Sequence, residues 1–159
     1  MDLVKLIIVK YLLGFVIQDF LFVVGIHTFN KQRIEIKQFM MINAIFIPVT
    51  ILVRLLPISF GIHTLLNVTF ISILTCFYFG FELYQTIRST LITTVLILAT
   101  ELIGVNLLLA LFGKEKINTL MLDPYTNAVI YLPINMLFAC IILFFYVRMY
   151  RKQLNSSVN

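Results

Sequence analysis

Residues 90–112, TLITTVLILATELIGVNLLLALF, decide the fold of this chain. The stretch is apolar and exceeds the roughly 20 residues that a helix needs to cross a bilayer. Helical periodicity gathers small, hydroxylated and acidic residues on one arc, roughly opposite Asn106: Thr90, Thr93, Thr94, Thr100, Glu101 and Gly104. A carboxylate at this depth is costly and requires a partner, a proton or a water-filled cavity. We therefore expect the arc to pack closely against other helices, with Glu101 turned into a bundle and away from lipid.

The composition of the whole chain also indicates a membrane protein. Of its 159 residues, 61% are hydrophobic and 12% are charged, whereas soluble domains are about 45–50% apolar and about 25% charged. A chain of this length has too much surface to bury the excess in a core. We predict an all-α integral membrane protein, and we assign the net charge of +5 to its loops and tail and not to a nucleic-acid partner.

Five apolar stretches are long enough to span a bilayer. They cover residues 6–26, 39–56, 62–79, 90–112 and 128–147. The connections are short, so we predict a single transmembrane domain over residues 1–159, a polytopic bundle of about five antiparallel helices with a basic and polar tail at 148–159. Pro48 and Pro133 fall inside two of these helices, where each removes a backbone donor and is a candidate hinge.

The distribution of basic residues predicts an orientation, because lysine and arginine accumulate in cytoplasmic loops. One side collects Lys31, Arg33, Lys37, Arg88, Arg148, Arg151 and Lys152. The opposite side collects Lys5, Lys10, Arg54, Lys114 and Lys116. This count places the C-terminus in the cytoplasm and the N-terminus outside a bacterial plasma membrane.

Ionisable groups at membrane depth are the candidate site residues. An arginine fork can satisfy a carboxylate, so Arg54 and Glu101 form either a charged element of a ligand pocket or switch, or a structural pair that fixes helix register. His63 and Asn67 share a helical face, where they could line an outward-facing pocket or bond locally.

The adjacent residues Gln18 and Asp19 belong to the first predicted span. Membrane polar side chains commonly bond across to a neighbouring helix, and we expect this pair to do so, either for function or as packing contacts. Together with Arg54, His63, Asn67 and Glu101, Asp19 completes the predicted polar network.

Enzyme motifs are missing from the sequence. It contains no HExxH, GxSxG, Walker A or Rossmann pattern. His63 and Cys76 are separated by about 140° and about 20 Å on one helix, which prevents a dyad between them. Cys76 and Cys140 are isolated, with neither a CxxC nor clustered histidines. We expect no enzyme activity, no cofactor and no metal.

Two segments carry a family resemblance: RLLPISFGIHTLL from Arg54, and TELIGVNLLLALFG, read with the final helix that contains Pro133. They resemble the polytopic N-terminal sensor region of GHKL-type histidine kinases of Firmicutes, over residues 54–151. The shared positions are Arg54, Pro57, Gly61, His63 and Glu101. The resemblance implies several hydrophobic helices ahead of a kinase core, but the phosphoacceptor helix and the ATP-binding boxes of that core do not occur in this sequence. Small membrane peptidases of quorum-sensing systems are a weaker likeness, because they need a His and Cys spacing that this chain lacks.

The residues and the resemblance favour a receptor-like signalling module that perceives an extracellular or membrane-borne ligand. Its partners would be membrane lipids, other membrane or cytoplasmic signalling proteins, or a second copy of the chain. The alternative is a structural or accessory subunit of a larger membrane complex such as a transporter. A solute-binding transport component ranks below both, because no inverted repeat or pair of broken helices is evident.

Overall fold

The computed structural model describes residues 16–57, 60–117 and 124–156. Within these ranges the main elements are five helices. They are α1 (Ile17–Phe29), α2 (Ile36–Leu55), α3 (Phe60–Phe79), α4 (Leu83–Phe112) and α5 (Pro124–Ser156). A single helical turn over 114–117 follows α4. No strand occurs in the described ranges, which confirms the all-α class.

Four of the helical stretches are long and apolar enough to cross a membrane, judged by length and composition. They are Ile36–Leu55, Gly61–Phe79, Leu83–Phe112 and Leu132–Gln153. The first predicted span, 6–26, lies outside the described residues up to residue 15, and the part from Ile17 onward belongs to α1, a 13-residue apolar helix that ends at Phe29. The multi-pass helical fold predicted from the sequence is therefore confirmed.

Two helices extend well beyond the apolar stretches that predicted them. α4 begins at Leu83 and not at residue 90, so most of the segment expected to be a connection is helical. α5 runs from Pro124 to Ser156 and takes in most of the predicted tail. Apolarity marks the part of a helix that sits in lipid, whereas backbone hydrogen bonding continues through polar residues that tolerate helix. Pro48 and Pro133 lie inside α2 and α5, respectively.

α1 lies at the centre of the bundle. It packs against α2, α4 and α5, while α4 also contacts α3 and α5, and α3 contacts α2. Seven of the thirteen residues of α1 are buried, compared with six of the thirty in α4. A larger share of the described residues of α1 than of α4 is therefore buried.

The bundle is polar inside and apolar outside. An apolar core cluster joins α1, α2 and α3 through Phe22, Val23, Ile26, Ile42, Phe46 and Ile71. Across the described residues, however, more polar side chains than apolar ones are buried. Large apolar side chains such as Phe77, at 86% exposure, face outward instead. This distribution suits a lipid environment, where the hydrophobic effect does not drive helices together and polar contacts can.

Two glycines bring the central helices into close contact. A Cβ atom on Gly25 of α1 would lie 2.5 Å from Cγ2 of Thr93 in α4. A Cβ atom on Gly104 of α4 would lie 2.6 Å from Cγ1 of Ile134 in α5. Only glycine permits these approaches, so α4 is held at short distance from α1 on one side and from α5 on the other.

Candidate functional site

The small and hydroxylated arc of α4 faces the bundle as the sequence predicts. Thr90, Thr93, Thr100 and Gly104 are buried, and Thr94 is partly buried. The threonine hydroxyls donate to carbonyls of their own helix one turn earlier, at distances of 2.7–2.9 Å. Because each hydroxyl donates its hydrogen within α4, the arc presents mainly methyl groups and a glycine to its neighbours and serves close packing.

One hydroxyl of the arc also reaches another helix. Ser72 of α3 donates to Oγ1 of Thr90 at 3.3 Å and to the carbonyl of Val68 at 2.7 Å. Through this contact α3 packs against the same arc of α4 that also packs against α1. Hydrogen bonds of this kind between membrane helices are individually modest, and here they fix the rotation of the helices.

Glu101 receives its partner from α1. Nε2 of Gln18 donates to Oε1 of Glu101 at 2.8 Å, and both side chains are partly buried. The expectation that the Gln18–Asp19 pair bonds across to another helix is confirmed for Gln18. A carboxamide nitrogen can donate a hydrogen bond to an ionised or a protonated carboxyl group, so the contact holds Glu101 in place in either state.

Asp19 lies beside Gln18, within electrostatic range of Arg54. Its side chain is 5% exposed, and the Arg54 guanidinium in the last turn of α2 acts on it electrostatically. Oδ2 of Asp19 and Oγ1 of the buried Thr50 lack hydrogen-bond partners within the described part of the chain. The predicted pair of Arg54 with Glu101 remains a prediction, and Asp19 is the acidic group on which Arg54 acts in the structure.

A short path leads from Glu101 to the candidate hinge of α5. Gly104 follows Glu101 by one turn of α4, and its close contact is Ile134, the residue after Pro133. A displacement of α4 at Glu101 would therefore press directly on the segment of α5 whose backbone is weakened by a missing donor.

His63 and Asn67 occupy consecutive turns of α3, and both are partly buried. Nδ1 of His63 and Oδ1 of Asn67 are shielded from solvent and lack a hydrogen-bond partner within the described residues. The neighbouring apolar residues of this helix, Ile62, Leu65 and Leu66, are exposed. The structure places this predicted pair on an outer helix, and nothing in the described part of the bundle joins it to Glu101.

Sequence reasoning missed His27, which is fully buried at the end of α1. Its Nδ1 lies 2.9 Å from the carbonyl of Val23, and rings of Phe79 and Phe81 stand edge-on to it at centroid distances of 4.3 and 5.6 Å. Nε2 of His27 has no partner within the described residues. The apolar stretch that defined the first span ends just before His27, so a hydropathy criterion assigned this residue to a loop.

The described residues contain no group of three or more histidine, cysteine, aspartate or glutamate side chains that could hold a metal ion. What the site offers is a set of polar groups on three helices: Gln18 is hydrogen-bonded to Glu101, and Asp19 interacts electrostatically with Arg54. No protein-family model, curated protein or solved structure matches this chain.

Proposed function

We propose that this chain is a non-catalytic signalling module of a bacterial plasma membrane. An extracellular or membrane-borne ligand shifts α1 relative to α4, and α5 passes the shift to a cytoplasmic partner. The observation that carries the proposal is the hydrogen bond between Gln18 and Glu101, which joins the two central helices at a position where polar groups usually mark function.

The contacts that lead from Glu101 to the end of α5 support the proposal. Gly104 and Ile134 link the Glu101 region to the hinge at Pro133, and α5 then continues as one helix to Ser156. Binding energy at the ligand site can bias such a helix only if its two positions differ in their contacts. The tight glycine contacts supply that difference, because a helix cannot slide gradually past a neighbour at this distance.

The end of α5 carries contacts that a signal could release. Gln153 donates to the carbonyl of Lys31 at 2.6 Å, and the guanidinium of Arg33 lies 5.3 Å from the ring centroid of Tyr150. Both contacts join α5 to the connection between α1 and α2. With Arg148, Arg151 and Lys152 nearby, this region belongs to the basic side that we assign to the cytoplasm.

A reporter fusion tests the orientation. A fluorescent protein that folds only in the cytoplasm, fused after Asn159, should be bright. Alkaline phosphatase at the same site should be inactive, because it requires an oxidising compartment. The reverse pattern would place α5 on the wrong side for a cytoplasmic partner and would overturn the route of signalling proposed here.

Affinity purification from native membranes, with a tag after Asn159, tests the signalling role. We expect a histidine kinase or a response regulator to accompany the wild-type chain, and Glu101→Gln to change its phosphorylation by about fivefold or more. Asn106→Leu is the matched control in α4, because Asn106 is exposed and donates to the carbonyl of Leu102 in its own helix. Equal effects of the two substitutions would reduce Glu101 to a packing role.

The pair His63 and Asn67 favours a second candidate, an accessory subunit of a larger membrane complex. Their shielded polar atoms and the exposed apolar residues around them suit contact with a helix of another protein. Recovery of transporter or other membrane subunits in a fixed ratio, lost in His63→Leu, would establish this alternative in place of signalling.

A further inference from the structure

One end of the bundle carries a cluster of basic side chains. They come from two segments that are far apart in the sequence, the connection into α2 and the last turns of α5. The basic cluster, as it is called here, consists of Lys31, Arg33, Lys37, Arg148, Arg151 and Lys152. Glu35 is the single acidic residue in the same two segments, 30–37 and 145–156. This excess of positive charge suits an anionic partner.

Two contacts bring the segments of the basic cluster together. Nε2 of Gln153 donates to the carbonyl oxygen of Lys31 at 2.6 Å. The guanidinium of Arg33 lies 5.3 Å from the ring centroid of Tyr150. Arg151 follows Tyr150 directly in α5, so basic side chains from both segments belong to one surface of the protein.

The charges of the basic cluster are available to a ligand. All six side chains are exposed, and none of them forms a salt bridge with another described residue. The contact with Tyr150 positions the guanidinium of Arg33, which keeps N–H donors in a fork that matches the oxygens of a phosphate.

Exposed apolar side chains adjoin the basic cluster on the side of the membrane interior. On α5, helical periodicity places Phe144 and Val147 on the same face as Arg151, and both are exposed. On α2, the exposed Met41 lies one turn beyond Lys37. Each helix thus changes from cations to exposed apolar side chains within one or two turns, where its apolar span ends. A phospholipid has the same order, with a phosphate at the interface and acyl chains below it.

We propose that the basic cluster binds the phosphate of an anionic phospholipid whose acyl chains lie on the exposed apolar face of α5. Arg33 and Arg151 donate to the phosphate oxygens, and the other cations of the cluster add electrostatic attraction. A lipid fits this surface better than a soluble phosphate does, because the apolar side chains beside the cations contact acyl chains. The site uses neither Gln18 nor Glu101, so it does not depend on the function proposed above.

Native mass spectrometry of the purified full chain in detergent tests the proposal through lipid binding. The probes are phosphatidylglycerol and phosphatidylcholine with identical acyl chains, together with the soluble headgroup glycerophosphoglycerol. Both lipids contain a phosphate, but only phosphatidylglycerol carries a net negative charge. We expect phosphatidylglycerol to bind at least about tenfold more tightly than phosphatidylcholine and than the soluble headgroup.

Two double variants locate the site. Arg33→Gln with Arg151→Gln should lower the affinity for phosphatidylglycerol at least about tenfold, because each basic residue at the interface contributes about fivefold. Lys114→Gln with Lys116→Gln is the matched control, since it removes the same charge from exposed residues that follow α4. Lys116 also lies near an aromatic ring, 5.7 Å from the centroid of Phe112. The control should change the affinity by less than about twofold, because salt screens distant exposed charges.

Each result decides the proposal. A loss of phosphatidylglycerol binding in the arginine variant that exceeds the loss in the control supports it. Equal affinity for the two lipids overturns it, as do equal losses in the two double variants or a soluble headgroup that binds as tightly as the lipid. If circular dichroism shows that the arginine variant does not fold, Arg148→Gln with Lys152→Gln replaces it. That variant should lower the affinity at least about fivefold, and an unchanged affinity would overturn the proposal.

Discussion

The two sides of α1 make interfaces of opposite kinds. Toward α2 the core contacts are bulky and apolar, and Phe22 stacks on Phe46 with ring centroids 6.1 Å apart. The electrostatic interaction of Asp19 with Arg54 is an addition to this apolar packing. Toward α4 the contacts are small and polar: Gly25 touches Thr93, and Gln18 donates to Glu101. Both interfaces are buried, yet they differ in how strictly they limit the side chains that can occupy them.

This difference has a physical basis in lipid. Apolar side chains leave one apolar medium for another when membrane helices associate, so the α1–α2 interface gains mainly from dispersion and shape. It should accept other side chains of similar volume. The α1–α4 interface depends on a missing Cβ and on a donor and acceptor in register, and it should not accept small changes. Specificity therefore belongs to the side of α1 that faces α4.

The largest expected effect comes from Gly25→Ala. The new methyl group would lie 2.5 Å from Cγ2 and 2.8 Å from Oγ1 of Thr93, a β-branched side chain with little rotamer freedom. We expect the free energy of unfolding, measured by denaturant titration in mixed micelles, to fall by about 3 kcal/mol. Gly61→Ala is the matched control, because a Cβ atom there meets nothing within 4 Å.

A second substitution tests the cause of that loss. Thr93→Ala removes both atoms that the new methyl group would strike, so the double variant should recover much of the lost stability. If Gly25→Ala costs no more than Gly61→Ala, the α1–α4 interface is looser than the structure indicates, and the contrast between the two sides of α1 disappears.

On the opposite side of α1, Phe46→Leu should be tolerated far better. Phe46 is 2% exposed, and leucine fills much of the same space without adding a polar atom. Leucine removes some buried volume and the aromatic ring, and we expect a loss of about 1.5 kcal/mol in the same titration, half that of Gly25→Ala. A loss as large as that of Gly25→Ala would show that aromatic stacking on Phe22 also specifies the fold.

The arc on α4 could be predicted from the sequence because its information is local. Thr90, Thr93 and Gly104 share a face by helical periodicity alone, and their small size predicts that another helix packs closely against this face. The need of Glu101 for a partner followed equally from its place in an apolar stretch. Fold class and the buried face of α4 were therefore within reach of the sequence.

The hydrogen-bond partner of Glu101 could not be predicted from the sequence, because it depends on which helices become neighbours. Gln18 and Glu101 are 83 positions apart, and no pattern in either segment predicts that the two side chains meet. The predicted ends of α4 and α5 were also wrong, because hydropathy marks the part of a helix that lies in lipid and not the extent of its backbone hydrogen bonding.

The hydrogen bond between Gln18 and Glu101 should have a measurable coupling energy. In a double-mutant cycle with Gln18→Leu and Glu101→Leu, we expect an interaction of about 1 kcal/mol in the free energy of unfolding, within the range for polar contacts between membrane helices. A cycle of Gln18→Leu with Asn106→Leu is the control and should be additive. Additivity in both cycles would mean that the polar side of α1 is held by shape alone.

The smallest effect separates two possible acidic partners of Arg54. Since Arg54 acts electrostatically on Asp19, and Glu101 already receives a donor from Gln18, we expect Arg54→Gln to couple with Asp19→Asn by about 0.5 kcal/mol. Its cycle with Glu101→Gln should be closer to additive. Stronger coupling to Glu101, with rescue when the Arg54 and Glu101 charges are exchanged, would make Arg54 part of the α4 contact. The polar network would then bind α2 to α4 as well as α1, and the contrast between the two sides of α1 would extend to a third helix.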